Sequence, residues 1–399
     1  MYNKNRSNAG SRAFSRSSGR FSFRKTNKPS RKGERIDISK FINKRVINKP
    51  TDQFVPVHSF SDFQLDHKIK INILSKGFDI PTPVQDISIP HILNGTDMVA
   101  LADTGTGKTA AFLLPIIDKL INDSSQSAII LAPTRELAIQ IDQELSSFTK
   151  GLRISSVVAV GGSPIGRQIS QLRYKPHFII GTPGRIKDLI ERKHIHLNSF
   201  KTIVLDEADR MLDMGFINDM RLLMSKMPSD RQTLFFSATL SPEIEKLIRE
   251  FLKNPVRISV KTRETSEHVD QDIIRVSKDS KVNVLSELLQ KPDFSKVLVF
   301  GRTKHGVEKL SNELLKRGFK STSIHGNKNH TQRVRSLGQF KDDHVQVLVA
   351  TDVAARGLDI PDVTHVINYD IPMTHADYIH RIGRTGRGGK NGKALTFIG

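Results

Sequence analysis

The sequence predicts an α/β protein of two tandem lobes, each a mainly parallel sheet flanked by helices, preceded by a disordered basic tail. Three observations carry that prediction. From about residue 60, short near-continuous apolar runs alternate with helical segments, the pattern of parallel strands covered on both faces. The alternation breaks once, at the polar stretch VKTRETSEHVDQ (260–271), and then begins again. The first 57 residues have no apolar periodicity and are rich in Ser, Gly, Asn and Arg, so they cannot bury enough surface to fold alone.

Residues 1–57 carry fifteen Lys or Arg against Glu34, Asp37 and Asp52, a net +12 out of +21 for the chain. A tail of this charge, with Phe14, Phe21 and Phe23 among its arginines, suits loose contact with a polyanion by charge and stacking. It also resembles an organelle transit peptide, although its glycines and asparagines make a poor amphipathic helix. Residues 58–259 form the first lobe. Its strands are expected in DMVALA, SAIILAP, ISSVVAV, HFIIGTP, KTIVLDE and QTLFFSAT, with helices such as RELAIQIDQELSSF between them. Residues 260–271 read as the linker. Residues 272–399 form the second lobe, with strands expected in QDIIRVS, KVLVFGRT, KSTSIHG, VQVLVAT, THVINYD and KALTFIG.

Composition narrows the chemistry. With 62 basic and 41 acidic residues among 399, the chain is expected to meet a polyanion. It has no cysteine, which excludes disulfides, thiolate chemistry and cysteine zinc sites. Its histidines show no HExxH spacing, and HIH at 194–196 reads as surface punctuation. No apolar run approaches the roughly 18 residues a membrane span needs. The expectation is a soluble, cytoplasmic, monomeric protein without membrane contact.

The strand DMVALA runs into DTGTGKTAAFLLPII, placing Thr104, Gly105, Thr106, Gly107, Lys108 and Thr109 at a strand-to-helix turn. Glycines there let backbone N–H groups close around phosphate, and the helix N-terminus adds positive charge. Lys108 can reach the β- and γ-phosphates and Thr109 can ligate Mg2+. The strict GxxxxGKS/T pattern fails at Ala102. A second acidic signal, DEAD at 206–209, follows the apolar run KTIVL. Read alone it suits a surface turn. Beside a phosphate loop, a strand-end acid can hold hydrated magnesium while its neighbour orients the attacking water, which makes Asp206 the metal residue and Glu207 the base.

With these motifs the chain resembles a bacterial-type DEAD-box RNA helicase over about residues 58–399. The resemblance implies two RecA-like domains, ATP with Mg2+ as cofactors, and RNA held through its backbone without regard to sequence. ADTGTGKT (102–109) is similar to the family's own phosphate loop, in which alanine is expected at position 102. GFDIPTPVQ (77–85) resembles the adenine-recognition motif, with Gln85 on the base edge and Phe78 stacked on the ring. PTREL gives Pro133, Thr134 and Arg135 to RNA, GG gives Gly161 and Gly162, and TPGR gives Thr182, Pro183, Gly184 and Arg185. SAT, with Ser237 and Thr239, is similar to the segment that couples the acids, including Asp209, to lobe closure.

In the second lobe the resemblance assigns Gln332, Arg335, Thr351, Arg356 and Gly357 to RNA and Asp359 to the ribose. Arg384 and Arg387 of HRIGRTGR become arginine fingers that meet the phosphates only when the lobes close. The family also leads one to expect a further helix beyond GKALTFIG. The implied activity is an RNA-dependent ATPase that locally unwinds short duplexes or remodels RNA–protein complexes. An ATP-gated RNA clamp without productive unwinding shares every motif, and a DNA translocase is the third reading.

Overall fold

The computed structural model describes residues 41–42, 54–103, 105–260, 269–277, 279–355, 360–386 and 392–399. The first lobe runs α1 (His67–Ser75), α2 (Pro83–Leu93), β1 (Met98–Ala102), α3 (Lys108–Asn122), β2 (Ala128–Leu131), α4 (Arg135–Phe148) and β3 (Ser156–Ala159). It continues through α5 (Ile165–Leu172), β4 (Phe178–Gly181), α6 (Pro183–Glu191), β5 (Thr202–Leu205), α7 (Ala208–Asp213), α8 (Ile217–Ser225), β6 (Gln232–Ser237), α9 (Pro242–Phe251) and β7 (Val256–Val260). The second lobe comprises β8 (Val269–Arg275), α10 (Lys281–Leu289), β9 (Val297–Phe300), α11 (Lys304–Lys316), β10 (Ser321–Ile324), α12 (His330–Lys341), β11 (Val347–Ala350), α13 (Asp352–Ala355), β12 (His365–Asn368), α14 (His375–Ile382) and β13 (Gly392–Ile398).

Each expected run becomes a strand, and most of them have no polar face. β2, β4, β5 and β6 are buried at every position, as are β9, β11 and β12, so helices must cover both sides of each sheet. The first sheet has the order β3-β4-β2-β5-β6-β1-β7 and the second β10-β11-β9-β12-β13-β8. All the strand pairings are parallel, for instance Leu101 opposite Ser237 and Leu131 opposite Leu205. Strand β7 was not expected. It lies at the sheet edge beside β1 and its exposure alternates, with Arg257 and Ser259 outward, so it lacks the continuous apolar run that marks its neighbours. The polar linker accordingly narrows, since the first sheet ends at Val260 and the second begins at Val269.

Two apolar clusters sandwich each sheet. One face of the first packs Phe112, Phe148 and Phe236 with α2, α3 and α4, and the other packs Met211, Met220 and Phe235 with α6 to α9. The second sheet has Phe300, Phe340 and Tyr378 on one face and Phe294, Leu314 and Phe397 on the other. Among the described residues no helix is long and apolar enough to cross a membrane.

The expected tail departs from expectation at its far end. Phe41 is 1% exposed and belongs to the core of the second lobe, with its ring edge-on to Tyr378 at 4.8 Å. A single aromatic can fill such a socket without any periodic pattern around it. Nearer the first lobe, the Asp86 carboxylate accepts hydrogen bonds from the amides of Val57 (2.8 Å) and His58 (3.1 Å). Residues 1–40 and 43–53 of the expected tail lie outside the described residues.

Candidate functional site

Strand order decides which motifs meet. The phosphate loop leaves β1, the Ser237 segment leaves β6 and the DEAD acids leave β5, and these three strands are neighbours. The PTREL, TPGR and GG segments leave β2, β4 and β3, the adjoining half of the same sheet. The motifs expected to face nucleotide and those expected to face nucleic acid therefore share one carboxyl edge, where ligands of open parallel sheets bind.

In the phosphate loop, Gly105 (φ 85°) and Gly107 (φ 90°) adopt the left-handed conformation that side-chain-bearing residues avoid. Gly107 is also crowded, because a Cβ there would lie 2.5 Å from the Gln85 amide nitrogen. Gln85 donates from Nε2 to the Gly107 carbonyl (3.1 Å) and accepts the Thr82 amide on Oε1 (2.9 Å). Both ends of its amide thus brace the loop against the start of α2. Phe78, assigned to the adenine ring, lies nearly parallel to Phe60 at 6.4 Å and edge-on to Phe148 at 6.0 Å, on the flank of the core. Thr109 is the second residue of α3 and Thr106 donates to the Asp103 carbonyl (2.8 Å). Thr104 lies outside the described residues.

Lys108 opens α3, 6% exposed, and donates to the Ala102 carbonyl at 2.7 Å. Across from it Asp206 ends β5, fully enclosed. Burial raises its pKa to about 7, against the pull of the Lys108 ammonium and with the push of Glu207. Its Oδ1 is buried without a hydrogen-bond partner. An orphaned carboxylate oxygen beside a phosphate loop suits a divalent cation that keeps most of its shell as water and phosphate oxygen. Among the described residues there is no cluster of three His, Cys, Asp or Glu, so an ion held here would take most of its ligands from water and phosphate.

Glu207 has φ 54°, the left-handed region, and N-caps α7. Such a conformation in a residue with a Cβ costs about 1–2 kcal/mol and clusters at functional sites. Its Oε2 takes a 2.6 Å ion pair from Arg210, which is 1% exposed and was not foreseen from the sequence. Asp209 turns the other way. Its Oδ2 accepts from the amides of Ala238 (3.2 Å) and Thr239 (2.9 Å) and from the Thr239 hydroxyl (3.0 Å). The Asp209 amide donates to Ser237 Oγ (3.3 Å), which donates to the Thr239 carbonyl (2.7 Å). The DEAD and SAT segments are therefore a single hydrogen-bonded unit.

On the other half of the edge, Thr134 caps α4 by accepting the Leu137 amide (3.2 Å), with Pro133 buried before it. The Arg135 guanidinium lies against Gly161 and Gly162. A Cβ on Gly162, whose φ is 77°, would fall 1.9 Å from its Nη1. Thr182 stands at the N-cap position of α6 without a side-chain cap bond, with Pro183 and Gly184 in the first turn. Arg185 donates to the Ser163 carbonyl (3.3 Å) and Gln168 Oε1 (3.1 Å), tying TPGR to the GG turn.

The second lobe reaches the first through α12. Gln332 is committed to a capping box with Asn329 and is exposed, as is Arg335. Arg333, between them, is 12% exposed and forms a 2.9 Å ion pair with the buried Glu136 of PTREL. Thr351 is buried at the end of β11. Just after it, Asp352 takes a two-pronged ion pair from Arg381 (2.5 and 2.8 Å), whose other nitrogen reaches Asn368 Oδ1 and the Asp370 carbonyl. Arg384 is buried, its Nε donating to the His380 carbonyl (3.3 Å). Arg356, Gly357, Asp359 and Arg387 lie outside the described residues. Arg210, Arg333 and Arg381 escaped sequence reasoning because a buried arginine reads like any surface charge until its partner is placed.

Residues 82–247 match the DEAD/DEAH box helicase family and residues 280–389 the helicase conserved C-terminal domain. The ATP-dependent RNA helicase CshA of Listeria monocytogenes is 47% identical over 343 residues, which cover 85% of this chain and 66% of that protein. CshA of Limosilactobacillus reuteri is 45% identical over 85% of this chain and 69% of its own length. The chain thus spans about two thirds of these relatives, slightly less for the first. Mss116 bound to ssRNA and UDP-BeF superposes with a TM-score of 0.78 at 33% identity, over 86% of this chain and 76% of that one. S. cerevisiae Dbp5 bound to RNA and ADP BeF3 gives 0.76 at 32% identity, over 85% and 89%. With its two parallel sheets identified as tandem RecA-like domains, the chain belongs to the DEAD-box helicase family.

Proposed function

We propose that the chain is an RNA-dependent ATPase that separates short RNA duplexes locally and remodels RNA or RNA–protein complexes. The observation that carries this reading is the Glu136–Arg333 ion pair, which joins the nucleic-acid half of the first sheet to the second lobe. ATP would lie on the phosphate loop, with Lys108 toward its terminal phosphates. Asp206 and Thr109 would hold magnesium, which supplies positive charge against the phosphates. Glu207, oriented by Arg210, would take the proton of the attacking water.

Arg384 and Arg387 belong to the other lobe, so the hydrolytic set is complete only when the lobes close. RNA bridging Arg135, Gly162 and Arg185 on one lobe and Thr351 on the other would favour that state. Linkage then requires ATP to favour RNA binding in return. Contacts to phosphates and 2′-hydroxyls read no sequence and distinguish RNA from DNA.

The test is ATP hydrolysis with and without single-stranded RNA, followed by strand displacement on RNA and DNA duplexes of equal sequence. Hydrolysis indifferent to RNA overturns the reading. RNA-gated ATP binding without displacement favours the clamp, and equal displacement of DNA favours a translocase.

A further inference from the structure

We propose that Phe41 is a positioning residue for the arginine-bearing segment of the second lobe, an inference that rests on the hydrolysis reading above. Phe41 precedes the first lobe in the chain yet packs inside the second. It shares a buried cluster with Ala354, Ala355, Ile360, Val363, Tyr378 and Ile382, drawn from α13, the segment after it and α14. These elements follow Thr351 and lead into Arg384.

The contact falls where α14 most needs support. This helix has eight residues, too few to be stable in water without tertiary packing. Tyr378, at its centre, is held from two sides. Its hydroxyl donates to Gln271 Oε1 on β8 (2.8 Å), and its ring meets Phe41 edge-on, the favoured geometry for an aromatic pair. Arg384 stands two residues beyond the helix, with its Nε on the carbonyl of His380. A shift of α14 therefore carries Arg384 with it. The same N-terminal stretch is fastened to the first lobe at Val57 and His58 through Asp86, the residue next to Gln85. Phe41 thus joins a residue that precedes the first lobe to the helix that leads into Arg384, from inside the core rather than from the lobe surface.

The test uses the full chain with Phe41→Ala and Phe41→Leu, at a temperature where circular dichroism shows both folded. Phe41→Ala is expected to lower RNA-stimulated kcat by about three- to tenfold, the scale of one aromatic pair. KM for ATP should stay within about twofold, because the phosphate loop is untouched. Phe41→Leu, which retains apolar volume, should recover most of kcat. Should Phe41→Ala not fold, Phe41→Val replaces it, with an intermediate loss expected. Unchanged stimulated kcat, or equal loss in the Leu and Ala variants, overturns the proposal. If the unsubstituted chain shows no RNA-stimulated hydrolysis, the activity reading fails, and amide hydrogen exchange of residues 375–382 decides. Faster exchange there in Phe41→Ala, with α3 unchanged, supports the positioning role; identical exchange refutes it.

Discussion

The Asp209 carboxylate holds Thr239 twice, by its backbone amide at 2.9 Å and its hydroxyl at 3.0 Å. One oxygen thereby joins the start of α7 to the end of β6. Asp209→Asn weakens this junction, because a neutral amide oxygen accepts less strongly and its NH2 group would oppose the donors. The expected cost is about 1.5–3 kcal/mol, the scale of hydrogen bonds to a charged group. Urea unfolding measures it, and a loss below about 0.5 kcal/mol would show that the junction is not structural. RNA-stimulated turnover should fall as well.

Glu207→Gln keeps the shape and a weaker contact to Arg210 but removes the proposed base. ATP and RNA binding should persist while hydrolysis falls by at least about 100-fold, within the range attributed to a positioned base. Turnover within tenfold of the parent would assign the role elsewhere.

The Glu136–Arg333 pair spans the lobes, so removing one partner leaves the other, largely buried charge uncompensated. Arg333→Met and Glu136→Gln should each reduce RNA-stimulated hydrolysis by about 10-fold or more. The double variant should lose less than the product of the two, since partners in contact are not additive. Multiplicative losses would show that the charges act separately.

At Gly162 both the backbone (φ 77°) and the space next to Arg135 exclude a side chain. Gly162→Ala should displace the Arg135 guanidinium and weaken RNA affinity by about 10-fold, about 1.4 kcal/mol. ATP affinity without RNA should stay the same. Equal RNA affinities in a binding titration would show that Arg135 relocates without consequence.

His365 lies flat on Phe294 at 3.7 Å, and burial lowers its pKa to about 4, with Asp293 opposing the shift and Lys393 adding to it. Between pH 6.5 and 4 the unfolded chain binds a proton that the folded lobe excludes. Stability is therefore full above about 6.5 and is lost as pH falls toward 4, on the order of 3 kcal/mol in all. His365→Phe should flatten this part of the profile. A urea midpoint with the same pH dependence in both proteins would assign it to other groups.

The strands buried on both faces, such as β2, β5 and β11, were legible because each is a continuous apolar run. The edge strand β7, with Arg257 and Ser259 outward, carries no such mark. The placement of the TGTGKT turn and of the DEAD acids at strand ends was legible because each directly follows a continuous apolar run. The residue of α12 that reaches the first lobe was not. Gln332 and Arg335 are three apart on one side of the helix, and only the rotation set by the Asn329 cap turns Arg333 toward Glu136. For Gln85, a resemblance names the residue but not its bonds, and the structure adds a brace on Gly107.

The socket of Phe41 also imposes an order of events on biosynthesis. Phe41 is translated roughly 340 residues before Tyr378, an interval of roughly 17–70 s at about 5–20 residues per second. The first lobe can be complete while this phenylalanine still waits in water, an apolar group for a holding chaperone to cover. Only when α14 emerges can Phe41 enter its socket. Such a contact closes a long loop, and loop-closure entropy makes contacts of high sequence separation slow to form.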